Sequence, residues 1–165
     1  MSFHQQLKDK LIRAGEALTR INILKQQGKK IVFTNGCFDI LHPGHVDYLS
    51  QARDLGDFLV LGLNTDHSVR QLNKAPNRPI NNEQTRAMVL SGLASIDAIV
   101  LFDEATPYEL IRLLQPDVLV KGDDYEIEKI VGYDVVKANG GKIITIPFLK
   151  GFSTTTMIEK IVKGI

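Results

Sequence analysis

Cysteine is nearly absent: Cys37 is the one thiol in 165 residues. That excludes an internal disulfide and a cysteine-based zinc site. An excess of one charge is lacking too. Lysine and arginine number 20 against 19 aspartates and glutamates, a net of +1, which argues against a nucleic-acid partner or a membrane-surface role. No apolar run is long enough to span a bilayer, and the first residues carry no secretory signal. No repeat, low-complexity tract or linker interrupts the chain. The expectation is a cytoplasmic globular protein, a single domain large enough to bury its own core.

What is present is organised around Val32 to Arg53. Ile31, Val32 and Phe33 read as a buried strand that breaks at Asn35-Gly36, where glycine permits a tight turn or close approach to a ligand. His42-Pro43-Gly44-His45 follows, then Val46, Leu49 and Ala52 at helical spacing. Proline suits the first turn of a helix, where its missing N–H costs nothing. The stretch is therefore strand, turn, helix, with two histidines at the positive end of a helix dipole, where an anionic phosphate would sit. On the residues alone an ordinary surface turn, with His42 as a helix cap, stays open.

The rest of the chain alternates. Leu7, Leu11 and Ile12, then Ala17, Leu18, Ile21 and Leu24, predict helices over the first thirty residues, stopped at Gly28-Lys29-Lys30. Residues 1–29 are expected to be a helical extension, either a cover or an oligomer contact, and 30–165 the main domain. Strands are predicted at 58–63, at 96–102 with a break at Asp97, at 118–121 and at 142–147. Helices are predicted after an Asn64-Thr65-Asp66 turn and cap to about Leu72, from an Asn81 cap with Gln84 through Leu93, from a Thr106-Pro107 start to Leu114, over 131–138, and over 153–162. The strand at 58–63 is near-continuously apolar, as parallel strands buried on both faces tend to be, and five strands alternating with helices imply a parallel sheet with flanking helices.

Ligands of such sheets bind beyond the carboxyl ends of the strands. The candidate residues fall at those ends: Asn35 to Asp39, Asn64 to Asp66, Lys121 to Tyr125, and Gly151 to Thr156. Loops are polar in any case, so each has a bland reading. Ser153 or a neighbouring threonine is first an N-cap, though four hydroxyls in a row exceed what one cap needs. Lys74 and Arg78 are solvated by default, and Asp123-Asp124 is good turn composition. Asp39, Asp123 and Asp124 could contribute to a magnesium site, which prefers a few carboxylates plus phosphate oxygens. Cys37 reads as a small apolar strand-end residue rather than a nucleophile.

Gly36-Cys37-Phe38-Asp39, Leu41 and His42-Pro43-Gly44-His45 resemble the nucleotide-binding motif of the cytidylyltransferase-like nucleotidyltransferases. Gly151-Phe152-Ser153-Thr154-Thr155 is similar to that superfamily's C-terminal phosphate-binding motif. The likeness is nearer still to the adenylyltransferase domain of bacterial heptose-phosphate enzymes. It extends through Pro76-Asn77-Arg78-Pro79-Ile80-Asn81, Phe102-Asp103-Glu104, Pro116 to Gly122 and Asn139-Gly140-Gly141, and covers roughly residues 29–161. The chain departs from that family at Asp123, where a glycine is common, and at Phe152, where arginine is common. Gly122-Asp123-Asp124 resembles the pattern of CTP-using glycerol-3-phosphate enzymes. A nucleotide sensor that has lost turnover is the other alternative.

The resemblance implies a Rossmann-like nucleotidyltransferase fold and a reaction in which ATP and D-glycero-β-D-manno-heptose 1-phosphate give ADP-heptose and pyrophosphate. It implies ATP as substrate with Mg²⁺, and a homo-oligomer, a dimer or larger. In many bacteria this domain is fused to a sugar kinase, and the present chain resembles the free-standing form. His42, His45 and Lys74 would be catalytic. Asn35, Gly36, Cys37, Phe38, Gly44, Lys121, Gly122, Asp124, Ser153, Thr154 and Thr155 would bind nucleotide, and Asp39, Asn64, Asp66, Arg78 and Arg86 substrate.

Overall fold

Strands β1 (Ile31–Gly36), β2 (Phe58–Asn64), β3 (Ala98–Phe102), β4 (Val118–Gly122) and β5 (Lys142–Ile146) form one sheet in the order β3-β2-β1-β4-β5. Every neighbouring pair is parallel. Helices α1 (Phe3–Lys8), α2 (Ala14–Gln26), α3 (Pro43–Arg53), α4 (Asp66–Gln71), α5 (Glu83–Ser91), α6 (Tyr108–Leu114), α7 (Tyr133–Ala138) and α8 (Thr154–Lys163) surround it. This computed structural model describes residues 1–72, 77–124 and 126–164. Among the described residues no helix is long and apolar enough to cross a membrane.

The period of two along each strand divides the core into two layers. Ile31 and Phe33 of β1, Val60 of β2 and Val100 of β3 face one side, where Ala17 and Ile21 of α2, Ile111 of α6 and Val136 of α7 cover them. Val32, Leu59, Leu61 and Ile99 face the other, against Leu49 and Ala52 of α3 and Leu90 of α5. Buried on both faces, β2 is apolar until its terminal Asn64, as the sequence led one to expect for 58–63, and β1 carries its polar residues at its carboxyl end. Each fully buried leucine, isoleucine or phenylalanine stabilises the fold by about 1.5–3 kcal/mol.

Three aspartates finish the amino-terminal edge of the sheet. Asp57 accepts from the amide of Lys30, Asp97 from that of Leu59, and Asp117 from that of Ile31, at 2.7–2.8 Å. Asp97 also pairs with Arg53 at 2.9 Å. Asp97 thus stands just outside β3 rather than breaking it. With that edge closed by side chains, the carboxyl edge remains for ligands.

Two predicted caps differ. Asn82, not Asn81, caps α5 by accepting from the Thr85 amide at 2.8 Å. Either asparagine suits a cap, but Asn81 is drawn away to Asp39, to whose backbone carbonyl its side chain donates a hydrogen bond at 2.9 Å. At α6, Pro107 itself occupies the cap position without a side-chain bond. Thr106 plays no capping part.

Candidate functional site

The site begins where β1 stops. Gly36 brings its backbone against the ring of Phe38, so closely that a Cβ there would lie 2.7 Å from it. Phe38 adopts a left-handed backbone, φ 46°, uncommon for a non-glycine residue. That turn buries its ring and sets it edge-on to His45, centroids 5.1 Å apart. The chain then enters α3 with His42 as cap residue and Pro43 at the first turn, as read from the sequence, although His42 makes no capping bond through its side chain. Tyr48 anchors the helix by a 2.8 Å bond between its hydroxyl and that of Thr34. Thr34 in turn donates to the carbonyl of Val120 on β4.

His42 and His45 stack face to face, ring centroids 3.7 Å apart and planes 20° from parallel. The Nδ1 atom of each is buried without a hydrogen-bond partner among the described residues. Buried polar atoms are nearly always satisfied, so two bare nitrogens at a helix N-terminus point to a missing acceptor or donor. Burial lowers the pKa of His42. The His45 imidazole is lowered to about 4, first by burial and then by its neighbour His42, with the Ile40 backbone opposing. Both rings are therefore neutral near pH 7 in the free protein. Gly44 lets them stack: a Cβ there would lie 3.1 Å from the His42 ring.

Across from this turn lies the start of α8. Ser153 caps the helix, accepting from the Thr156 amide at 3.0 Å. A cavity of about 270 Å³ opens between the two helix ends, lined by His42, Phe152, Ser153, Thr156, Met157 and Lys160 among others. Thr154 and Thr155, expected to bind phosphate, head α8, while Ser153 and Thr156 line the cavity. Lys160 was not singled out in the sequence. Nothing local marks it, because its relevance comes from where a distant helix places it.

At the ends of β1 and β4, Asn35 accepts from Lys121 and bridges the two strands. Gly122 packs under the ring of Phe148, where a Cβ would lie 2.1 Å from a ring carbon, and Asp124 is exposed beside it. The main chain of Cys37 is also engaged, its carbonyl accepting from Arg86 at 2.8 Å.

The residues expected to meet the second substrate are placed differently. Arg86 is wholly buried and spends its guanidinium on the carbonyls of Cys37 and Asn81 and on the carboxylate of Asp66, at 2.8–3.0 Å. Asp39 accepts from the amides of Ile80 and Asn81 at 2.7 and 2.8 Å, with Arg78 at 3.8 Å. Asn64 donates to Ser68 at 2.8 Å and lies near the Cys37 thiol. Asp39 and Arg86 clamp the segment at 78–82 against the ends of β1 and β2. A buried cation or carboxylate needs such partners, and the sequence offers no way to tell a clamp from a ligand contact. Lys74 lies outside the described residues.

The pattern of the cytidylyltransferase-like family runs over residues 33–160, well over half of the chain. The chain belongs to that family. The bifunctional protein HldE of Syntrophotalea carbinolica is 52% identical over 162 residues, which take in 98% of this chain and 33% of that protein. Its namesake in Citrifermentans bemidjiense is 58% identical over 138 residues, 84% of this chain and 28% of that one. The chain thus spans a third or less of the length of these relatives. A solved structure, the lipopolysaccharide core biosynthesis protein of Thermoplasma volcanium, is 30% identical and superposes with a TM-score of 0.65 over 74% of this chain and all of that one. The Rossmann-like nucleotidyltransferase fold expected from the sequence is the fold found.

Proposed function

We propose that the chain transfers the AMP of ATP to D-glycero-β-D-manno-heptose 1-phosphate, releasing pyrophosphate and giving ADP-heptose, a precursor of the lipopolysaccharide core. The observation that carries the nucleotide part is the stacked pair His42 and His45, two imidazoles whose Nδ1 atoms are buried and bare at the positive end of α3. The heptose part rests on the loop and strand-end motifs whose resemblance was described above, and on the likeness to the HldE proteins.

The reaction needs no covalent intermediate. An oxygen of the sugar 1-phosphate attacks the α-phosphorus of ATP in line, one P–O bond forms, and the bond to the departing pyrophosphate breaks. Both reactants are anions, so positioning and neutralisation of charge carry the rate. His45 donates to the transition-state oxygens and His42 holds the triphosphate. Lys74 and Arg78 support the leaving group. Ser153, with Thr154 and Thr155 at the head of α8, cradles phosphate. Asn35, Gly36, Cys37, Phe38, Gly44, Lys121, Gly122 and Asp124 form the nucleotide side. Asp39, Asn64, Asp66 and Arg86 serve substrate indirectly, by holding its loop.

Magnesium belongs to this proposal only as the cation that the nucleotide brings. Among the described residues no three histidines, cysteines or carboxylates come together as a metal cage, and Asp39 is occupied by amides. Mg²⁺ at phosphate oxygens needs at most one or two carboxylates. Asp123 and Asp124 are the exposed ones nearby. The working form is proposed to be a cytoplasmic homo-oligomer.

The test is pyrophosphate release with Mg²⁺, crossing ATP and CTP against β-heptose 1-phosphate and glycerol 3-phosphate. Release with ATP and the heptose phosphate alone is expected. Release with CTP and glycerol phosphate would overturn the choice of substrates, and ATP binding without any release would overturn catalysis.

A further inference from the structure

We infer that Lys160 is a phosphate-binding residue of this site, its ammonium receiving, with Ser153, Thr156 and the buried ring of His42, the phosphate tail that departs as pyrophosphate. The inference rests on the nucleotide reading above. It adds a cation that neither the motifs nor the family resemblance supplied.

Residues 153, 156, 157 and 160 are spaced by three, four and seven positions, which puts them on one face of α8. That face lines the cavity opposite His42. Phe152 and Met157 give the lysine stem an apolar wall while its charged head stays in the opening, the usual division for a long cationic side chain. No carboxylate is among the residues that line the cavity. Lys25, Lys29 and Lys129 each have an acidic partner within 4 Å, but among the described residues Lys160 has none. An unpaired ammonium, the hydroxyls of Ser153 and Thr156, which bond each other at 2.8 Å and leave one O–H to donate outward, and a nine-tenths buried imidazole with a bare Nδ1 line the same space. Such a donor set selects an anion with several oxygens.

The cavity, about 270 Å³, has room for a phosphate tail. Its donors fix that end of the ligand and leave the nucleoside to the ends of β1 and β4. The bland account of Lys160 is that a cation in the last turn of a helix favours the negative end of its dipole. Lys163 does that equally well from the same turn and does not line the cavity. It serves as the control.

The experiment is calorimetric titration of the full chain with inorganic pyrophosphate, ATP and AMP, using wild type, Lys160→Ala, Lys160→Arg and Lys163→Ala. Lys160 is exposed, so its loss does not threaten the core. Lys160→Ala is expected to weaken pyrophosphate and ATP roughly tenfold, the loss of one charged hydrogen bond, and to leave AMP unchanged. Lys160→Arg should recover most of the loss, and Lys163→Ala should bind as wild type. Wild-type affinity for pyrophosphate in Lys160→Ala, or an equal loss of AMP, would overturn the inference while the nucleotide reading stands. A wild-type protein that binds none of the three would overturn both.

Discussion

The ring of His42 lies flat against that of His45, 3.7 Å between centroids, so a proton on one raises the cost of a proton on the other. The arrangement holds donors ready without prior charge, and it makes the free protein sensitive to acid. In the folded chain the pKa of His45 is lowered to about 4 from an ordinary value of 6.5. Between those values the unfolded chain binds the extra proton, so stability is fully present above pH 6.5 and is lost as pH falls towards 4. Urea titrations from pH 7.5 to 4 should show that decline, and His45→Gln should flatten it. Asp57 and Asp103, whose carboxyls are lowered chiefly by the Lys30 amide and the Thr65 hydroxyl, add their own losses only at still lower pH.

In the proposed reaction, replacing His45 by alanine removes one preorganised donor from the reacting phosphate. Turnover should fall by roughly 10²–10³, with a smaller change in KM for ATP. Steady-state kinetics at saturating sugar phosphate measures it, and near-wild-type kcat would exclude His45 from the chemistry.

Arg86 offers a contrast. Its guanidinium reaches no open space, so Arg86→Met should act mainly through stability. It strands Asp66 and two carbonyls, at a cost of about 3–5 kcal/mol, as when one partner of a buried ion pair is removed. Chemical denaturation of the purified variant gives the figure, and an unchanged unfolding midpoint would contradict the clamp.

Asp39→Asn separates two roles for one carboxylate. As a holder of the Ile80 and Asn81 amides, it should cost about 1–3 kcal/mol when its charge is removed. The Mg²⁺ concentration that gives half-maximal rate should stay where it is. A shifted Mg²⁺ dependence with unaltered stability would instead make Asp39 a metal ligand.

Residues 1–29 are proposed as an extension, yet Ala17 and Ile21 are buried in the sheet layer that includes Ile31 and Val100. Deleting 1–29 should expose that face and abolish cooperative thermal unfolding. A truncated chain that melts sharply near the wild-type temperature would show the layer to be dispensable.

The local part of this structure was legible because short-range chemistry writes it. The apolar runs, the Asn35-Gly36 break and the proline after His42 each act within a few residues, and β1, its turn and α3 stand where they were expected. The choice between Asn81 and Asn82 as a cap was not legible. Both satisfy the local rule, and an aspartate forty residues away decides between them. The same holds for Arg86 and Asp66, which look like substrate residues until burial and three hydrogen bonds show what they hold. Lys160 lay hidden for the opposite reason: a lysine on an exposed helix carries no signal until its cavity is seen.

The strand order makes the site depend on the whole sheet. β1 lies between β2 and β4, the turn carrying His42 and His45 follows β1, and Lys121 and the head of α8 come from the last third of these residues. The two helix ends that face each other across the cavity are far apart in sequence, so they stand opposite one another only when β4 and β5 have joined β1. Loosening of that edge of the sheet would part the two sides of the cavity while leaving each helix end as it is.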